Sequence, residues 1–139
     1  MSPLTTKQIF ETLIDALETA LLLNVIKGYP SWGRHELTLP VAALELASWT
    51  PEIPNRIGQR HGRQQIGFRL WLFARHEPEL CELLDRLAAW CAGTACIKID
   101  DQRIDIGVAE GQRYEGSEQP VQQEQHALWF PITVSRAIA

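Results

Sequence analysis

Apolar residues in this chain recur with two different periods, and the alternation between them outlines the elements. Over residues 5–23, Ile9, Phe10, Leu13, Ile14, Leu17 and Leu21 follow three- and four-residue steps, which predicts an amphipathic helix. Thr5 and Gln8 have the spacing of a capping box, with the hydroxyl accepting from the Gln8 amide and the Gln8 side chain reaching back. The sequence Lys27-Gly28-Tyr29-Pro30 is expected to end that element. Residues 35–49 read as extended, since Leu37, Leu39 and Val41 alternate with polar or small residues. Pro40 cannot donate to a ladder, so a bend or an edge is expected there. Pro51 and Pro54 then open a loop.

The period-two signal is strongest at 64–75, QQIGFRLWLFAR. Ile66, Phe68, Leu70 and Leu72 share one face, and Gly67, Arg69, Trp71, Phe73 and Arg75 share the other. The second half is apolar on both faces, as in a strand covered on both sides. Pro78 suits the first turn of a second helix. Leu80, Leu83, Leu84, Leu87, Ala88 and Cys91 form its predicted buried stripe, with Glu82 and Arg86 turned away and Gly93 as the C-terminal cap. ACIKI and RIDIGV follow as strands around a turn at Asp100-Asp101-Gln102. Residues 110–126 are polar, and ALWFPITVSRAIA returns to strand character with a proline inside. The order predicts an α+β fold over 1–139: a single mixed or antiparallel sheet with two helices packed on one face.

Composition narrows the function classes. A chain of 139 residues with 45% apolar and 22% charged residues suits one globular domain. No apolar run approaches the roughly 18 residues of a membrane-spanning helix, and MSPLTTKQ has no secretory pattern. Cys81, Cys91 and Cys96 are odd in number and read as reduced, buried thiols of a cytosolic protein. There is no Walker loop, dinucleotide glycine fingerprint or nucleophile elbow. His35, His61, His76 and His126 do not pair with cysteines at metal-ligand spacing, and the two Arg-His-Glu stretches place neighbouring side chains on opposite strand faces. Asp100, Asp101 and Asp105 read as turn and surface acids. Catalytic residues, metal and cofactor are therefore not expected. Trp71, Trp90 and Trp129 are expected in or near the core; Trp32 and Trp49, beside prolines, are expected to pack loops onto the sheet, with a partner anchor as the other reading.

Charge changes this picture at one place. The net charge is -4, yet RIGQRHGRQQIGFR at 56–69 holds four of the ten arginines and no acid. Arg56, Arg60, His61, Arg63 and Arg69, on a loop at about 50–65 and the strand it feeds, are the candidate interface or DNA-facing residues. Glu110, Glu115 and Glu118 form the candidate acidic counterpart, because an arginine fork holds a carboxylate with two bonds. A solvated hairpin, a subunit contact and a phosphate contact are the three readings. No aromatic residue lies between 56 and 67, which leaves single-strand stacking unsupported.

An N-terminal amphipathic helix, a long strand entered from a basic loop, the helix EPELCELLDRLAAW and a closing strand together resemble the tail terminator, or tail-completion, proteins of long-tailed phages and phage-derived particles; neck and head–tail joining proteins share this outline. The likeness covers about residues 5–135 and rests on size and element order. It implies a non-enzymatic phage or prophage structural protein forming a ring at the end of the tail tube, as a hexamer. The tail tube protein and head–tail connector would be its partners, with DNA passing through the channel. Its place would be the cytoplasm during assembly and then the virion tail. The alternative class is a small cytosolic binding module or adaptor that meets nucleic acid through the arginine-rich loop.

Overall fold

The computed structural model of the chain describes residues 5–28, 38–50, 62–94, 96–99, 101–113 and 126–138. Helix α1 (Thr6–Leu21) starts at the expected capping box: Thr5 Oγ1 accepts from Gln8 N at 3.1 Å, and Gln8 Oε1 accepts from Thr5 N at 2.8 Å. It ends earlier than Lys27-Gly28, at Leu22, which is left-handed (φ 57°) and donates its amide to Glu18 O. The residues beyond form a strand that periodicity did not reveal, β1 (Val25–Lys27). Three residues carry too few alternations to register a period.

The other strands are β2 (Val41–Trp49), β3 (Gly62–Ala74), β4 (Cys96–Ile99), β5 (Gln102–Val108), β6 (Gln112–Arg113) and β7 (His126–Ile138), with helix α2 (Glu77–Thr94) between β3 and β4. They build one sheet in the order β1-β2-β3-β7-β5-β4, with β6 paired to β7 beside β5. Among the described residues, β1–β2 is parallel and the other pairings are antiparallel, so the sheet is mixed. β2 begins directly after Pro40, whose peptide bond with Leu39 is cis. β4 and β5 are joined through Asp101 at φ 64°, a left-handed position that aspartate tolerates in a tight turn.

The axis of the sheet is the pairing of β3 with β7, unbroken from Gly62↔Ile138 to Ala74↔His126. Pro131 sits inside this central strand, where a proline is normally excluded. It is accommodated because a strand residue's amide and carbonyl point to the same side, here away from β3. On that side the β5 register ends at Val108↔Ile132, and β6 resumes at Gln112↔Trp129. One extra residue is looped out opposite Pro131, so no partner needs its missing amide. Its carbonyl is used, accepting from Ala109 N at 2.9 Å.

Both helices cover one face of the sheet. α1 touches β1 and β4, the opposite edges of the sheet, so the sheet curls around this helix. Ile9, Leu13, Leu17 and Leu21 are fully buried there with Ile66, Phe68, Leu70 and Leu72, and the Phe10 and Phe68 rings stack with centroids 5.7 Å apart. The other face of β3 carries a second, smaller cluster, as the doubly apolar half of that strand implies. It comprises Val41, Ala43, Trp71, Phe73 and Ala127, with Ile26, Leu39 and Trp129 packed against it.

α2 is rotated relative to the predicted stripe. Leu80, Leu83 and Leu87 are buried, but Leu84 and Cys91 are only partly so, and Ala88 is exposed. The buried arc must face both the sheet and α1, and it takes in Trp90 instead of Ala88. Arg86 does not merely point away: its Nη1 donates to Leu21 O at 2.9 Å, supplying a partner to a carbonyl that the end of α1 leaves open. Gly93 lies within the last turn of α2 and is not its cap. Cys81 is exposed, contrary to the expected buried thiol, while Cys91 and Cys96 are half-buried. Trp90 lies against the core, but Trp49 is 50% exposed, so the core reading fails for it. Trp32 lies outside the described residues.

This packing fixes an order of costs in urea unfolding. Leu83→Ala should lose about 2–5 kcal/mol by removing a buried side chain and leaving a cavity. Leu84→Ala should lose clearly less, Arg86→Ala about 1 kcal/mol for its hydrogen bond, and Glu82→Ala no more than about 0.5 kcal/mol. Equal losses at Leu83 and Leu84, or at Arg86 and Glu82, would contradict the orientation of α2.

Candidate functional site

The two charged segments singled out in the sequence are attached to opposite ends of the β3–β7 axis. The segment 51–61, with Arg56, Arg60 and His61, lies outside the described residues, but its two anchors are described. Thr50 leaves β2 bonded to Gln65, with Thr50 N and Oγ1 both donating to Gln65 O at 3.2 and 3.0 Å and Gln65 N donating back to Oγ1 at 3.3 Å. Gly62 re-enters the sheet opposite Ile138, and the backbone of Arg63 pairs with Ala137 at the same end. Glu115 and Glu118 also lie outside the described residues, within 114–125, whose anchors are Arg113 and His126. His126 pairs with Ala74, at the far end of β3. Thirteen residues of strand separate the two ends by about 40 Å.

Arg69 belongs to neither end. It is half exposed in the middle of β3, on the face away from the helices. Its guanidinium lies 5.1 Å from the centroid of the Trp129 ring and 3.7 Å from Glu45 Oε1, which also accepts from Trp71 Nε1 at 3.0 Å. An arginine over an indole face and beside a carboxylate is held by its own chain. Glu110 is exposed where the chain loops out between β5 and β6, and no contact joins it to Arg69.

The start of α2 holds a charge cluster that the sequence reading missed. Glu77 Oε1 lies 2.6 Å from His126 Nδ1 and 2.9 Å from Arg113 Nη2, and Oε2 accepts from the same Arg113 nitrogen at 3.0 Å. One carboxylate thus ties together the two anchors of segment 114–125. His126 first, then Arg113, holds the Glu77 carboxyl below its ordinary range. Two residues on, Glu79 takes hydrogen bonds from the Arg75 side chain and from Arg75 N at 3.0 Å. Together these hold its carboxyl at about 2. His76 caps the helix, its Nδ1 accepting from Glu79 N at 3.2 Å. The signal available in sequence was Arg-His-Glu at 75–77, immediately before Pro78; read as the start of a helix instead of a strand, it places acids at a helix N-terminus.

Among the described residues, no three histidine, cysteine, aspartate or glutamate side chains converge as metal-ion ligands. No helix among them is long and apolar enough to cross a membrane. Burial pushes the Cys91 thiol above its ordinary value, disfavouring the thiolate. No family model matches the chain, and no curated protein matches it.

The Glu79 contacts give an acid-side expectation. A carboxyl whose folded value is depressed contributes stability that is present above its ordinary value and lost as pH falls through the folded one. That window runs from 4.5 down to about 2. Arg75→Ala should lower the urea midpoint at neutral pH and flatten its decline across this window, incompletely, because the Arg75 backbone donor remains. An unchanged acid-side slope would show that the pair contributes nothing to stability.

Proposed function

We propose that this protein is a non-enzymatic structural subunit of the tail terminator or tail-completion class, built to associate head to tail with copies of itself. The observation that carries this reading is the attachment of an arginine-rich segment and an acid-bearing segment to opposite ends of one continuous strand pair. Anchors about 40 Å apart favour pairing between copies over pairing within one. Complementary patches at two different places make a heterologous contact, which closes into a ring when the rotation between copies permits.

On this reading the arginines serve neighbouring carboxylates, and the acidic balance of the remainder discourages general binding to nucleic acid. The partners proposed are further copies in a hexameric ring, the tail tube protein and the head–tail connector, with assembly in the cytoplasm and a final place in the virion tail or a tail-like particle.

Replacing Arg60 and Arg63 together with glutamate should leave the melting temperature nearly unchanged, since this reading assigns both to the surface that meets a neighbour, and surface changes usually alter stability by less than about 0.5 kcal/mol. The same change should abolish association in light scattering, and negative-stain images should show rings for the parent chain only. A parent chain that stays monomeric at every concentration and at low salt, without rings on added tail tube, would remove this reading. Steeply salt-dependent binding of nucleic acid by that monomer would favour the adaptor class instead.

A further inference from the structure

Residues 109–113 cover the outer edge of β7 as a thin strap. Ala109 N donates to Pro131 O at 2.9 Å, Gln112 pairs with Trp129, and Arg113 pairs with Leu128. Every side chain in the strap is exposed except at Gly111, which is half-buried. A β-carbon at that position would collide with the Phe130 ring, so the place requires a residue with no side chain. Among the described residues, the strap's side-chain anchor is the ion pair of Arg113 with Glu77, both about half exposed. An exposed pair of this kind is weak in water. Beneath the strap lie Leu128, Trp129 and Phe130, all partly buried. Lifting it would bare a strand edge flanked by three large apolar residues, an acceptor for another extended backbone.

The strap therefore states the chemistry its site selects: an extended segment with glycine over Phe130 and, two residues later, an arginine for Glu77. The sequence contains Gly-Gln-Arg twice, at 111–113 in the strap and at 58–60 in the arginine-rich segment. In one copy these belong to opposite ends of the β3–β7 axis. The eleven residues 51–61 can extend roughly 18 Å beyond Thr50 and Gly62.

We propose that the strap is displaceable and that the β7 edge beneath it receives residues 58–60 of a second copy, with Gly58 replacing Gly111 over Phe130 and Arg60 replacing Arg113 on Glu77. The proposal rests on head-to-tail association only in choosing a second copy as the occupant. The tethered strap competes at high effective concentration, so the incoming segment gains most where the strap's own anchor is weakened.

The test uses the full chain and a fluorescent peptide of residues 56–61, Arg-Ile-Gly-Gln-Arg-His, in anisotropy titrations. Arg113→Ala, which removes the strap's arginine from Glu77 and leaves it with His126 alone, should bind the peptide at least about tenfold more tightly than the parent. The double variant Arg113→Ala/Glu77→Gln should lose that gain. A peptide with valine at the glycine position should fail on every protein, a control that does not depend on how any variant folds. No binding to Arg113→Ala at roughly millimolar peptide, or equal binding of the valine peptide, would overturn the proposal. Rings without peptide binding would remove the strap exchange and leave the ring reading standing; peptide binding by a chain that never forms rings would do the reverse.

Discussion

The pairing of β3 with β7 is the constraint on which the remaining structure depends. Thirteen consecutive pairs fix one axis, and each neighbour is placed relative to it: β2 and then β1 on one side, β5 and β4 on the other. An apolar row on one side of that axis, Ile66 to Leu72, calls for a cover, and α1 supplies it while touching both sheet edges. The same axis imposes a cost at Pro131, met by ending β5 and looping out a residue before β6. The strap thus exists because a central strand contains a residue with no amide to share.

The axis also determines what the charged segments can do. The strand pair carries the anchors of the two segments to its opposite ends. Arg69, grouped with the loop arginines by proximity in sequence, is instead held in the middle of the axis by Glu45 and Trp129. Glu77 performs the complementary task at the far end, holding both anchors of segment 114–125 with one carboxylate.

Elements with several periods were legible in the sequence. α1, with its capping box and four turns of alternation, and β3, with its change from half-polar to apolar on both faces, appear with the faces expected. The tight turn at Asp101 was legible because its chemistry is local. What was missed depends on contacts distant along the chain. β1 and β6 are too short to show a period and exist by pairing with β2 and β7. The rotation of α2 follows from having to face α1 as well as the sheet, which also turns Arg86 from a surface residue into the partner of Leu21 O. Glu77, Arg113 and His126 are up to 49 residues apart, and no spacing rule joins them. The candidate residues Arg56, Arg60, His61, Glu115 and Glu118 lie outside the described residues, so their part in the account rests on the described anchors.

Complementary ends make a claim about pairs of copies, and a charge exchange between two variants addresses it directly. One variant carries glutamate at Arg56, Arg60 and Arg63, making both ends acidic; the other carries lysine at Glu110, Glu115 and Glu118, making both basic. Analytical ultracentrifugation of each variant alone and of their equal mixture is the deciding measurement. Head-to-tail association across the β3–β7 axis predicts that each is monomeric alone and that the mixture assembles, with the two variants alternating. A mixture that stays monomeric, or a single variant that assembles as well as the parent, would contradict it.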